Sequence, residues 1–347
     1  TLFRSDSHEV GASFMRWPEE TRFITPSFFS NPFGQPDLNS VTPDSSLALF
    51  CGEEHPGGKT YASYLKAVLD EYQIPVMAPA RIAKVALLSS GNFILITEAG
   101  EKLETRSLIW ATGEFQFPDR QIFPGADICC HYGDVTSWKD FRKGEYIVIG
   151  GYESAVDAAV NLLENGSSVK MLTRSAPCST NHISDPSLSL SPYTRERLNR
   201  VMNHRLFEIY EDADVCEVIR MPGPGSSYKV HTTNGRAWAT DEVPVLATGF
   251  QCGGGARQLA AFFEWNDDGY PVLTDEDCST LFPGLYLVGP HVRHAGNIYC
   301  FIYKFRQRFP VVAESITRHL GLSSEGVRDW WVLPSEPDCC ADEDCAC

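Results

Sequence analysis

The chain has 347 residues, 43% hydrophobic and 12% aromatic, enough for two or three domains with their own cores. A formal net charge of −16 argues against nucleic acid or an anionic membrane as partner, and no apolar run approaches the roughly 20 residues that span a bilayer. No signal-peptide pattern opens the sequence, and twelve cysteines without a secreted-type framework fit a reducing cytoplasm.

Thr1–Leu2–Phe3 reads as a strand, followed by the aromatic-rich loops Gly11–Ala12–Ser13–Phe14, Arg16–Trp17–Pro18 and Arg22–Phe28. Residues 29–59 are rich in Pro, Gly, Asn, Asp and Ser and read as an irregular excursion. Tyr61, Tyr64, Leu65, Val68, Leu69 and Tyr72 have the spacing of an amphipathic helix that stops before Pro75. A β-meander is expected next, over Ile82–Leu88, Phe93–Thr97 and Leu108–Trp110, closing on Ala111–Thr112–Gly113. A crossover through Phe123–Pro124–Gly125 and His131–Tyr132 leads to Tyr146–Ile147–Val148–Ile149, a short buried parallel strand.

That strand opens the most informative stretch of the chain. Gly150–Gly151 form a tight turn, Ser154–Ala155–Val156 start a helix running through Leu163, and Val169–Leu172 form a second strand ending in Thr173–Arg174. Strand, glycine turn, helix and strand make a dinucleotide-binding βαβ unit, with pyrophosphate expected at the helix N-terminus. Gly150 and Ala155 hold the outer places of G-x-G-x-x-G/A, and Tyr152 stands where the second glycine belongs. The acid that ends the second strand in NAD-binding units is replaced by Arg174, which favours a 2′-phosphate and hence NADPH. A helix near 193–204 and a second meander follow, over Cys216–Met221, Tyr228–Thr232 and Val243–Leu246, closing on Ala247–Thr248–Gly249. The order of elements thus repeats. By that repeat, Thr1–Leu2–Phe3 is the second strand of an earlier βαβ unit, whose first strand, glycine turn and helix either lie outside this sequence or are absent from the protein.

The segments Phe3–Trp17, Trp110–Gly113, Tyr146–Ala159, Leu246–Phe250, Phe282–Gly289 and Gly296–Arg306 together resemble the two-dinucleotide-binding-domain flavoproteins. Within that group they are most similar to flavin-containing monooxygenase-like proteins and the bacillithiol disulfide reductase family. The resemblance implies an α/β fold of two Rossmann-like domains, each with a β-meander, the FAD domain lacking its N-terminal βα unit. It implies an FAD domain over 1–115 and 255–320, an NADPH domain over 116–254 and a cysteine-rich tail over 321–347. Gly11, Ser13, Phe14, Arg16, Trp17, Thr25, Ile82, Thr112, Gly113, Gly289, Asn297 and Ile298 would line FAD. Gly150, Gly151, Tyr152, Glu153, Ser154, Ala155, Arg174 and Gly249 would hold NADPH.

Three departures from the family pattern stand out. Arg4 replaces the acid for the first ribose, with Asp6 nearby; Gly289–Pro290 replaces the Gly-Asp that holds the ribityl chain. The monooxygenase signature F-x-G-x-x-x-H is matched only loosely by Phe123–Pro124–Gly125…His131.

Among residues with chemistry of their own, Cys129–Cys130 read as structural, and no Cys-x-x-Cys sits in the NADPH domain. His291, Arg293 and His294 follow the last FAD-domain strand, and His294 is taken as the acid/base candidate. Cys339, Cys340, Cys345 and Cys347 crowd the last nine residues, as ligands for a thiophilic ion such as zinc, as an electron shuttle, or as an inert tail.

The sequence reads as an FAD-dependent NADPH oxidoreductase that passes electrons to a small-molecule disulfide or metal–thiolate acceptor, with homodimerisation a further expectation. A monooxygenase using oxygen and a non-enzymatic nucleotide or metal sensor are the alternatives.

Overall fold

The computed structural model describes residues 9–28, 36–175, 185–223 and 227–327, together with the backbone of Phe3–Arg4. Strand β1 (Phe3–Arg4) pairs in parallel with β2 (Val76–Met77), and helices α1 (Ala12–Met15), α2 (Leu47–Cys51) and α3 (Gly58–Glu71) lie between them in sequence. Tyr61, Ala62 and Tyr64 form the buried stripe of α3 at the spacing read from the sequence, and Tyr61 and Tyr64 cluster with Phe23 and Leu47. The helix stops where Gln73 takes a left-handed φ of 50°, two residues before Pro75.

The meander that follows consists of β3 (Ile82–Leu87), β4 (Phe93–Thr97) and β5 (Lys102–Thr105). The third strand is therefore Lys-Leu-Glu-Thr and not Leu108–Trp110, as the sequence reading had it. Strand β6 (Leu108–Trp110) leaves the meander for a parallel pairing with a strand far along the chain, at Leu285–Leu287. The exposed Lys102 and Glu104 dilute the apolar signal of β5, so the more hydrophobic β6 attracts the assignment.

In the second half, β7 (Cys130–His131), β8 (Glu145–Ile149), helix α4 (Glu153–Glu164), β9 (Ser168–Leu172), helix α5 (Pro192–Val201) and β10 (Phe207–Tyr210) build an α/β layer. A second meander, β11 (Val215–Met221), β12 (Ser227–Thr232) and β13 (Ala237–Thr240), precedes β14 (Val245–Leu246). Here too the last expected meander strand, β14, joins the parallel sheet instead, in the order β10-β9-β8-β14-β7. Strand β8 is buried on both faces, as a central parallel strand must be. Tyr146 and Val148 pack into the α4 layer, while Ile147 and Ile149 point to the meander side with Val218, Tyr228 and Val230. Ile147 and Val148 have no exposed surface, and each such side chain contributes about 2 kcal/mol of burial.

A short hairpin, β15 (Glu264–Trp265) and β16 (Pro271–Val272), leads to β17 (Leu285–Leu287) beside β6. The chain then makes the hairpin β18 (Arg293–His294) and β19 (Asn297–Ile298), and ends its described part with helices α6 (Ile302–Phe305) and α7 (Arg308–His319). Matching the two Ala-Thr-Gly corners aligns β6 with β14 and β1–β2 with β9–β10. The place that β8 holds in the second sheet has no counterpart among the described residues.

The halves are fastened together by buried polar contacts. Glu20 accepts hydrogen bonds from Ser137 Oγ (2.7 Å) and the Trp138 amide (3.0 Å). Thr21 Oγ1 donates to Asp157 Oδ2 of α4 at 2.8 Å, a carboxylate that also takes Tyr132 OH at 2.6 Å and pairs with Arg197. Lys304 of α6, nearly buried, pairs with Asp185 at 2.5 Å and donates to Ser187 Oγ at 2.9 Å.

Candidate active site

The carboxyl ends of parallel strands are where ligands bind in sheets of this kind, and the expected residues gather at two such places. At the end of β8, Gly150 and Gly151 pass too close to other protein atoms for a side chain. A Cβ would fall 2.3 Å from Ala247 O at Gly150 and 2.0 Å from Thr173 Oγ1 at Gly151. Ser154 and the fully buried Ala155 lie in the first turn of α4, which has no side-chain cap, and a helix start of that kind suits an anion. Tyr152, in the place of the family's second glycine, sends its hydroxyl to the carbonyls of Ser187 (3.2 Å) and Ser189 (2.5 Å). Glu153 turns to the start of α5, accepting from the Ser191 amide at 2.6 Å and from Thr194 Oγ1, and burial raises its carboxyl above the usual range. Arg174, past the end of β9, is 82% exposed with Nε 4.0 Å from Asp214, so its guanidinium is available to a ligand.

At the ends of β6 and β17 lie Thr112, Gly113 and Gly289. Gly289 and Gly249, one on each side of the site, have φ of 108° and 91° and open space where a Cβ would stand. Backbone in that state lets a flat ring or phosphate approach closely. Thr112 Oγ1 is buried without a hydrogen-bond partner. These features fit a dinucleotide at each corner. An aromatic path joins them: Trp17 stands 6.4 Å from Phe115, and Phe115 stands 5.5 Å from Phe250, next to Gly249.

Other expected FAD residues hold structural positions nearby. Gly11 lets its turn pack on Ala62 of α3, Ser13 donates to Gln116 at 3.2 Å, and Phe14 lies 4.6 Å from Tyr61 in the aromatic cluster. Arg16 is exposed, the Thr25 carbonyl takes Asn39 Nδ2 at 2.8 Å, and Ile82 packs on the meander core. Asn297 pairs with His294 in the β18–β19 hairpin, and Ile298 O accepts Ser187 Oγ at 3.4 Å.

His294, the acid/base candidate, is bound to the fully buried carboxylate of Asp277, which Arg308 also holds at 3.0 Å. Its neighbour His291 is the buried histidine with free nitrogens: 6% exposed, neither nitrogen hydrogen-bonded, and 3.8 Å from Glu114. Sequence reasoning passed over Glu114, although it directly follows the first Ala-Thr-Gly corner.

Gly125 and His131 of the loose monooxygenase signature are absorbed by packing. A Cβ at Gly125 would meet Val218 O at 1.9 Å, while His131 Nε2 lies 2.9 Å from Gly249 O and Nδ1 accepts from the Gly133 amide. Burial pushes the Cys129 thiol up to about 12 and raises that of Cys130, in keeping with a structural role. Cys339, Cys340, Cys345 and Cys347 lie outside the described residues, as does the Asp6 side chain. Among the described residues no cluster of His, Cys, Asp and Glu is arranged to hold a metal, and no helix is long and apolar enough to cross a membrane.

Comparison with known proteins bears on the fold and the family. An uncharacterised oxidoreductase, CzcO, of Bacillus velezensis is 26% identical over 45% of this chain and 43% of its own length. The chain thus spans less than half the length of the first curated relatives it matches. The structure of bacillithiol disulfide reductase from Staphylococcus aureus superposes with a TM-score of 0.70 at 22% identity, over 92% of this chain and 90% of that one. A flavin-containing monooxygenase from Stenotrophomonas maltophilia gives 0.66 at 13% identity, over 92% and 90%. Both likenesses establish the shared two-dinucleotide-binding flavoprotein fold. A family model described as pyridine nucleotide-disulphide oxidoreductase matches residues 6–289, and the chain belongs to that family of flavoprotein oxidoreductases.

Proposed function

We propose that the protein oxidises NADPH with FAD as its flavin and delivers the electrons to a disulfide or metal–thiolate acceptor. The observation that supports this reading is the contact between the two Ala-Thr-Gly corners, where Phe115 beyond the first lies 5.5 Å from Phe250 beyond the second, with Trp17 6.4 Å from Phe115. Held at this corner, a flavin would supply the chemistry of taking a hydride from the nicotinamide and passing the electrons on to the acceptor. The protein's part is placement. The first turn of α4 takes the pyrophosphate, Arg174 the 2′-phosphate, and the aromatic wall of Phe14, Trp17 and Phe115 keeps water from the interface.

Acceptor choice rests on the thiols. Burial raises Cys129, Cys130, Cys278 and Cys300, four of the seven cysteines among the described residues, which disfavours the reactive thiolate in each of the four. All seven are free thiols, so a disulfide acceptor is read as external, or as the pairing of Cys339 or Cys340 with Cys345 or Cys347. A thiophilic ion, if the protein uses one, belongs to that same tail. The deciding experiment is anaerobic reduction of the flavin by NADPH, followed at 450 nm, and then mixing with low-molecular-weight disulfides, metal–thiolate complexes or oxygen. Fast reoxidation by a disulfide or metal–thiolate supports the reading; stoichiometric peroxide or oxygenated product with oxygen alone overturns it. Removing residues 338–347 is expected to leave flavin reduction intact and to lower turnover with the thiol or metal acceptor by orders of magnitude. Unchanged turnover, with no metal in the intact protein, makes the tail inert.

A further inference from the structure

At the ends of β6 and β17, His291 and Glu114 have no role in the account above, and they stand beside Thr112. His291 Nδ1 and Nε2 and Thr112 Oγ1 are all buried without hydrogen-bond partners. They abut consecutive glycines: a Cβ at Gly254 would fall 2.1 Å from His291 Nε2, and one at Gly255 would fall 1.7 Å from Thr112 Oγ1. Buried polar atoms cost free energy unless something pairs with them. This cluster lies where the sheet presents ligands, four residues beyond the last residue of each strand for His291 and Glu114.

The groups that face His291 are few. Glu114 Oε2 lies 3.8 Å from Nε2, and the Tyr270 ring lies 6.1 Å away. Arg293 covers Tyr270 at 4.5 Å, and Arg257 covers Trp265 at 5.0 Å. Burial, with help from these two guanidiniums, brings His291 down to about 4, so at neutral pH it carries one N–H and one lone pair. The Glu114 side chain keeps 41% of its surface exposed, and its partial loss of solvent raises the carboxyl against the pull of Arg293.

We infer that His291, with Glu114 beside it, is a positioning contact for the edge of the flavin ring and ties flavin binding to a proton. The inference rests on the flavoprotein reading. The imide N–H of an isoalloxazine is a donor, and the unprotonated nitrogen of a neutral imidazole accepts from it. Protonating that imidazole at acid pH removes its lone pair and with it the hydrogen bond. No bond is made or broken by the pair.

The test is FAD titration of the full-length chain by fluorescence and by its visible spectrum, from pH 3 to 8, in wild type, His291→Leu, His291→Gln and Glu114→Gln. Wild-type affinity is expected to weaken toward acid. His291→Leu is expected to bind about tenfold more weakly with a flat pH profile. His291→Gln keeps a donor and an acceptor, and is expected to bind within about threefold of wild type, also with a flat profile. Glu114→Gln is expected to shift the midpoint of the wild-type profile. An unchanged affinity and profile in His291→Leu overturns the inference alone; if that variant does not fold, an unchanged profile in His291→Gln does so. A wild-type chain that binds no FAD at any pH overturns the flavoprotein reading and this inference with it.

Discussion

Arg174 and His291 show how a single side chain sets a measurable preference. Arg174 is exposed and its nearest carboxylate, Asp214, is 4.0 Å away, so little competes with a phosphate for it. Arg174→Ala is expected to raise KM for NADPH by about tenfold or more and to leave KM for NADH nearly unchanged. Equal losses with both cofactors in steady-state assays remove the 2′-phosphate role. His291 bears on stability as well as binding. Its folded value of about 4 lies below the 6.5 of a free imidazole, so between these limits the unfolded chain binds more protons than the folded one. The stabilisation is complete above about pH 6.5 and is lost as pH falls toward 4, on the order of 3 kcal/mol in all. Glu114, raised by burial, acts oppositely: its contribution is present below the ordinary carboxylate value and is lost as pH rises through its folded one. Urea unfolding of flavin-free protein at several pH values should therefore show an acid limb, and His291→Leu should flatten it.

Among the elements, βα turns and helices were easier to read than strand partners. The α4 unit was legible because periodicity, the glycine pair and the Gly166 stop all fall within twenty-odd residues and need no distant partner. Membership of β6 and β14 was not legible, because pairing across the chain is not written in either strand; both looked like the ends of meanders. His294 was taken as the acid/base candidate from the sequence, and only the fold shows that Asp277 and Arg308 already hold it. The run Gly253–Gly255 drew no assignment from the sequence, yet its middle and last residues meet His291 and Thr112 directly. Gly255→Ala is expected to destabilise the protein by about 1–3 kcal/mol, and Thr112→Ala to recover part of that loss. Simple additivity of the two changes in denaturant melts contradicts the contact. In α4, Asp157 takes Thr21, Tyr132, Asn161 and Arg197 with almost no exposure, so Asp157→Ala is expected to cost about 3–5 kcal/mol by leaving Arg197 unpaired. A loss under 1 kcal/mol contradicts that account.

For the whole molecule, the boundary between the two halves is stitched by polar side chains that pair across it. Glu20 reaches Ser137 and Trp138, Thr21 reaches Asp157, and Lys304 reaches Asp185 and Ser187. Calorimetry is therefore expected to record one unfolding transition, and two separated transitions contradict the coupling. The same stitching bears on how electrons cross. If nicotinamide and flavin meet within this fixed frame, no large sweep of one half through solvent separates one turnover from the next. Thickening the solvent with sucrose should then leave kcat almost untouched, apart from any drag on product departure. The molecule would behave less like a hinge that swings between two errands than like a wire with both terminals already in place.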